Sequence, residues 1–213
     1  MRGANLNLAT SGQPMEPFPW ITIVSGLPRS GTSLMMQALA AGGLPPLTDD
    51  QRAPDASNPR GYLELEVVKR LKADRSWLPQ ARGRAVKIIH LLLPELADAP
   101  ADLEFRVVLM RRPMHEILAS QKAMLARQGR AGAALDDARL GALFADQMKR
   151  VESWLAERTQ FRVCSVDYPA LVANPREEVA HVNAFLGGAL DESAMARAVD
   201  PALYRERAGS GSS

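Results

Sequence analysis

Between Gly26 and Ser33 the chain carries two glycines, three hydroxyl side chains and a single cation, Arg29, in the order Gly26-Leu27-Pro28-Arg29-Ser30-Gly31-Thr32-Ser33. Those residue types at that spacing bind phosphate. Small residues let successive backbone N–H groups turn inward, and a helix that starts at the end of the loop adds its dipole. The flanks supply both supports. Ile21-Thr22-Ile23-Val24 reads as an apolar strand running into the loop, and Leu34, Met35, Ala38 and Leu39 recur at helical spacing after it. A loop built to reach the terminal phosphates of a nucleoside triphosphate has Lys at the position of Thr32. Here the charge comes from Arg29, so the pattern predicts a phosphate site that is not an ordinary ATP site.

A second cationic position lies further along. Phe105-Arg106-Val107-Val108-Leu109-Met110 reads as a buried strand that delivers Arg111 and Arg112 to its carboxyl end. In a parallel sheet ligands sit beyond those ends, so Arg29 and Arg112 are expected at one edge. Glu116 and Ser120 follow Arg112 by four and eight residues, which lays all three along one stripe of a helix opened by Pro113. Guanidinium and hydroxyl could then hold a second phosphate. The same spacing fits an arginine that merely caps the sheet edge with a solvent-facing serine.

These residues need a scaffold, and the rest of the pattern predicts one. Gly42-Gly43 ends the first helix, and a polar, proline-rich connection runs from Pro45 to Pro59. A short helix is expected over Leu63 to Ala73 and a strand over Ala85 to Ile89. Met114, Ile117, Leu118, Gln121, Met124 and Leu125 mark an amphipathic helix. Leu140, Leu143, Phe144, Gln147, Met148, Val151, Trp154 and Leu155 mark a longer one. Arg162 to Tyr168 reads as the last strand, and Val179, Val182 and Leu186 as a helix stopped by Gly187-Gly188. Strands separated by helices imply an α/β fold of three layers, α/β/α, around a central parallel sheet.

At 213 residues the chain can bury a full core. A net charge of +2 is too weak to argue for a nucleic-acid surface. No apolar run approaches the roughly 18 residues of a membrane span. One cysteine, Cys164, excludes an internal disulfide, leaves no thiolate cluster for zinc and suits a cytoplasmic setting. In its apolar strand it is expected to be core. Residues 1–19 read as a flexible N-terminal arm, 20–205 as one domain, and 206–213 as a flexible tail.

Pro28-Arg29-Ser30-Gly31-Thr32-Ser33 resembles the 5′-phosphosulfate loop of the sulfotransferases, which read Pro-Lys/Arg-Ser-Gly-Thr-Thr/Ser. Arg112 with Ser120 is similar to their 3′-phosphate motif, about 80 residues after the loop. Asn58-Pro59-Arg60-Gly61-Tyr62-Leu63-Glu64, Arg111-Arg112 through Ala119-Ser120-Gln121, and Val166-Asp167-Tyr168 with Asn174-Pro175 look like segments of the bacterial members, so the likeness spans about residues 20 to 205. The resemblance implies a P-loop NTPase-like sulfotransferase fold and a donor, 3′-phosphoadenosine 5′-phosphosulfate (PAPS), whose product is the 3′,5′-bisphosphate (PAP). It assigns the 5′ end to Pro28, Arg29, Ser30, Gly31, Thr32 and Ser33 and the 3′-phosphate to Arg112 and Ser120. Transfer would run in line to an acceptor hydroxyl or amine, with Arg29 stabilising charge on the leaving phosphate and with no metal.

The base that activates the acceptor has three candidates. Lys87-Ile88-Ile89-His90-Leu91 with Pro94 partly resembles the Lys-Thr-His-Leu-Pro segment of cytosolic sulfotransferases, whose histidine is the base, although the spacing is one residue longer. His90 has the right side chain, since imidazole titrates at about 6.5. A histidine held at a strand edge by backbone fits equally. Glu64 and Glu66 are the rivals, because some sulfotransferases use a glutamate from this region. Glu66 also fits a surface pair with Arg60 or Lys69, and His115 and His181 fall on polar helix faces. Tyr204-Arg205-Glu206-Arg207-Ala208-Gly209 has a faint likeness to the family's C-terminal Arg-Lys-Gly element at the 3′-phosphate. The acceptor, a small molecule, carbohydrate or lipid, leaves no readable code in the Pro45 to Pro59 or Ala126 to Ala138 stretches, and oligomeric state leaves none either. Two other readings keep the loop: a nucleotide-binding protein without turnover, and a small-molecule kinase. The kinase lacks the loop lysine of a Walker A motif, and Asp167, the nearest candidate for a magnesium aspartate, is followed by Tyr168-Pro169.

Overall fold

Among the described residues, apolar, β-branched runs form four strands: β1 (Ile21–Gly26), β2 (Ala85–Lys87), β3 (Phe105–Arg111) and β4 (Phe161–Asp167). The computed structural model describes residues 18–49, 51, 61–127, 129 and 136–204. All strand pairs are parallel, in the order β2-β1-β3-β4. Among the described residues six α-helices connect and cover them: α1 (Thr32–Ala41), α2 (Met114–Arg127), α3 (Asp137–Ala156), α4 (Tyr168–Ala173), α5 (Pro175–Phe185) and α6 (Glu192–Ala198).

Successive strand residues point to opposite faces of the sheet, and two separate cores result. Ile21, Ile23, Val107 and Leu109 join Ile117 of α2 and Phe144, Met148, Val151 and Leu155 of α3. Val24, Val108, Met110 and Val166 join Met35 of α1, Leu171 of α4, Val182 of α5 and Met195 of α6. Each such aliphatic side chain contributes about 1.5–3 kcal/mol when fully buried, so two-sided cover decides the register of every strand. The α/β/α expectation stands. Cys164 lies in the second core, where burial first, and then the charge of Glu178, pushes its thiol up to about 11.

Some local expectations change. The helix expected over Leu63 to Ala73 is only a 3-10 stretch at Glu66–Arg70. Its two adjacent valines disfavour longer helix, and Leu63 just before it has a positive φ of 48°. The strand expected to reach Ile89 ends at Lys87, with His90–Leu96 forming a 3-10 segment around Pro94. Leu143, counted in the apolar stripe of α3, is exposed. Phe18, expected in the arm, is buried edge-on against Trp20, with ring centroids 5.7 Å apart. Residues 1–17 of the arm and the whole tail lie outside the described residues.

Candidate active site

The sheet changes direction between β1 and β3, because β2 extends from one side of β1 and β3 from the other. Loops leaving those two strands diverge and open a crevice at their carboxyl ends. Gly26 stands opposite Met110 in the register, so the phosphate loop and the Arg111-Arg112 pair leave the sheet side by side.

Loop geometry explains its residue types. Gly26 has φ 150°, and a Cβ there would lie 2.8 Å from the Met110 carbonyl oxygen and 2.5 Å from Ser30 Oγ. Arg29 takes a left-handed φ of 69°, and Ser30 N donates to Leu27 O at 3.1 Å, which folds the loop back over itself. Gly31 caps α1 at φ 101°, and a Cβ would come within 2.2 Å of the Tyr168 ring. No side chain caps α1 and no acidic residue stands in its first turn. Its N-terminal N–H groups are therefore offered to an anion. Ser30 Oγ is buried with no hydrogen-bond partner among the described residues. A cradle that only glycine fits, and a hydroxyl lacking a partner beside it, suit a phosphate.

The second cation belongs to the same site. Arg112 donates from Nη1 to the carbonyl of Arg29 at 3.1 Å and from Nε to Glu116 Oε2 at 2.9 Å. Arg29 in turn donates from Nε to Ser120 Oγ at 3.1 Å, and its Nη1 reaches Met124 Sδ at 4.0 Å. Left-handed backbone at Arg29 thus turns its carbonyl toward one predicted partner while its side chain meets the other. Ser120 is buried, and the Arg112 side chain is 6% exposed. A solvent-facing serine and a simple edge cap do not describe this arrangement.

One further side chain at the loop is visible in the sequence only as part of a motif. Lys87, at the carboxyl end of β2, is buried, and its Nζ donates to Ser33 Oγ at 2.9 Å and to the Tyr62 carbonyl. Glu64 Oε1 lies 3.5 Å from the same nitrogen. The signal was present: a lysine ending an apolar strand at the ligand-binding edge. Glu64 is therefore linked to the loop through Lys87. His90 is 1% exposed; its Nε2 meets Gln147 Oε1 at 3.0 Å, while Nδ1 is buried without a partner among the described residues.

Other candidates resolve into structural roles. Glu66 pairs with Lys69 at 2.7 Å on the surface. Asp167 caps α4, accepting from Ala170 N at 2.9 Å. His115 and His181 are exposed, the latter with Nε2 3.8 Å from Cys164 Sγ. A cavity of about 300 Å³ adjoins the loop at Leu27, with Met110, Met114, Ile117 and Met148 in its wall and the Arg111–Glu152 pair at its edge. Asn58-Pro59-Arg60, most of the Pro45 to Pro59 connection, Arg130 to Ala134, Arg205 and Arg207 lie outside the described residues. Among the described residues, no group of His, Cys, Asp or Glu is arranged to hold a metal ion, and no helix is long and apolar enough to cross a membrane.

Residues 104–192 match the model of the Sulfotransferase family. That segment runs from β3 to the start of α6 and includes Arg112, Glu116 and Ser120, but not the β1 loop. No curated protein matches the sequence. Among solved structures, the chain is similar to the "Sulfotransferase Domain from the Synechococcus PCC 7002 Olefin Synthase" at 17% identity and a TM-score of 0.56, covering 95% of this chain and 94% of that one. It is also similar to the "Sulfotransferase Domain from the Curacin Biosynthetic Pathway" at 13% identity and a TM-score of 0.53, covering 91% and 93%. At these identities the likeness is one of fold.

Proposed function

We propose that this chain, whose matched segment and fold support a sulfotransferase family and sulfuryl transfer in general, takes its sulfuryl group from PAPS and passes it to a hydroxyl or amine. The observation that carries this reading is the joining of the two cationic positions, Arg112 Nη1 to the Arg29 carbonyl and Arg29 Nε to Ser120 Oγ. A ligand with phosphate at both ends of an adenosine needs two such positions in one site, and a triphosphate does not.

The donor supplies an activated sulfuryl group on its 5′-phosphate. Pro28, Arg29, Ser30, Gly31, Thr32 and Ser33 would hold that 5′ end through backbone N–H groups, hydroxyls and the α1 N-terminus. Arg112 and Ser120 would hold the 3′-phosphate. As the acceptor oxygen or nitrogen bonds to sulfur, the bond from sulfur to the bridging oxygen breaks and its electron pair stays on the phosphate. Arg29 stabilises that charge, and Lys87, held against Ser33, adds a second cation at the same end. Neither needs to give up a proton, because the leaving phosphate is stable as an anion.

The acceptor's proton goes to a base. Glu64 is the candidate tied to the loop, through Lys87. A second reading keeps His90, since its Nδ1 is a buried ring nitrogen without a partner among the described residues. The acceptor we propose is a small-molecule, carbohydrate or lipid hydroxyl or amine. The two similar domains come from biosynthetic systems by their descriptions, which suits a biosynthetic small molecule. A cytoplasmic setting agrees with a single buried thiol.

Thermal shift with PAP against ATP and magnesium tests the donor. Stabilisation by PAP alone is expected, whereas stabilisation by ATP alone would favour a kinase and sink the donor assignment. Labelled donor with a panel of acceptors then separates turnover from a nucleotide-binding protein without activity.

A further inference from the structure

Tyr204 lies 88 residues beyond Glu116 in the chain, yet its hydroxyl donates to both oxygens of that carboxylate, at 2.7 and 2.9 Å. Glu116 is 2% exposed and is the acceptor for Arg112 Nε. A buried ion pair holds its geometry only when its remaining lone pairs and protons are satisfied, and Tyr204 does this for the acid. The Tyr204 ring also flanks the guanidinium, with its centroid 5.2 Å from Arg112 Cζ, while the Tyr168 ring lies 4.8 Å away. The two rings meet edge to face at 5.1 Å. With Nε on Glu116 and Nη1 on the Arg29 carbonyl, both the plane and the in-plane direction of Arg112 are set.

We infer that Tyr204 is a positioning residue of the donor site: through Glu116 it sets the orientation in which Arg112 meets the nucleotide's 3′-phosphate. The stretch of chain carrying Tyr204 must therefore be docked for that end of the donor to be held. This rests on the donor reading above. Burial, with the hydrogen bond to Glu116 next, pushes the Tyr204 hydroxyl up to about 12, so it remains a donor throughout the neutral range.

The test compares adenosine 3′,5′-bisphosphate with adenosine 5′-monophosphate, which differ only in the 3′-phosphate, by calorimetric titration of the full chain. Wild type is expected to prefer the bisphosphate. Tyr204→Phe keeps the ring and loses the hydroxyl; it should weaken the bisphosphate about tenfold and the monophosphate less than about twofold, as loss of a hydrogen bond to a charged group predicts. Tyr204→Leu, which also strips the ring from Arg112, should weaken the bisphosphate further. The monophosphate serves as the control for an intact fold. Bisphosphate affinity unchanged in Tyr204→Phe overturns the inference and leaves the donor reading standing. Equal losses for both nucleotides make Tyr204 a general tether and overturn it as well. A wild-type chain that binds the two nucleotides alike overturns the donor reading and this inference together.

Discussion

At the end of β1 an anion is offered backbone: a glycine-bracketed turn, the N–H groups of an α1 terminus without a side-chain cap, and small hydroxyls. At the end of β3 it is offered buried side-chain charge, with Arg112 held by Glu116, Tyr204, Tyr168 and the carbonyl of Arg29. The loop's backbone turn comes from one short stretch, which the Tyr168 ring, Met110, Lys87, Arg112 and Ser120 touch from outside. The β3 end draws on β3, α2, α4 and the segment after α6. Backbone dipoles bind anions with little desolvation cost, whereas a buried ion pair is stable only while each partner is satisfied. A change in a distant element is therefore expected to disturb the second device more than the first.

Substitutions can break that contrast, and the largest effect is expected at the β3 end. Arg112→Ala leaves Glu116 buried without its cation and should lower unfolding free energy by about 3–5 kcal/mol in urea titrations. It should also weaken PAP more than adenosine 5′-phosphosulfate; equal losses would remove its 3′-phosphate role. At the loop, Gly31→Ala forces a side chain into φ 101° and into the Tyr168 ring. A loss of about 2 kcal/mol is expected, with both nucleotides weakened together, because the proposed assignment gives the cradle the 5′ end they share.

Alkaline titration sharpens the comparison with a smaller signal. The Tyr204 hydroxyl is raised from 10.0 to about 12 in the folded chain, so its stabilisation is complete below pH 10 and is lost as pH climbs toward 12. Cys164, raised from 9.0 to about 11, fades with the same sign in an overlapping window. Denaturation midpoints of wild type and Tyr204→Phe should therefore converge between pH 10 and 12, and parallel curves would contradict the assignment. The smallest effect is expected away from both regions. Lys69→Ala removes an exposed pair with Glu66, and it should change stability by less than about 0.5 kcal/mol.

Much of the fold was legible because its causes are periodic. Near-continuous apolar runs in β1 and β3 mark strands buried on both faces, and the helical stripes of α2 and α3 mark the one face that each helix buries. Boundaries were less legible. β2 stops at Lys87 rather than Ile89, because the chain turns into a 3-10 segment that buries His90 and Leu93. Within the site, Arg29, Arg112 and Ser120 were readable as candidates from residue type and position, but not as one another's hydrogen-bond partners.

The sequence by itself determined the residue types and the local turn: glycines where φ is positive, a helix start directly after them, and a cation eight residues before a serine on the next helix. Those are short-range choices, made by sterics and spacing. Only the tertiary structure decided that Lys87 meets Ser33 and that Tyr204 meets Glu116, 54 and 88 residues apart. Such meetings follow from parallel strand register and from how Tyr204, beyond α6, packs against Glu116 of α2 and Tyr168 of α4. No local pattern encodes them.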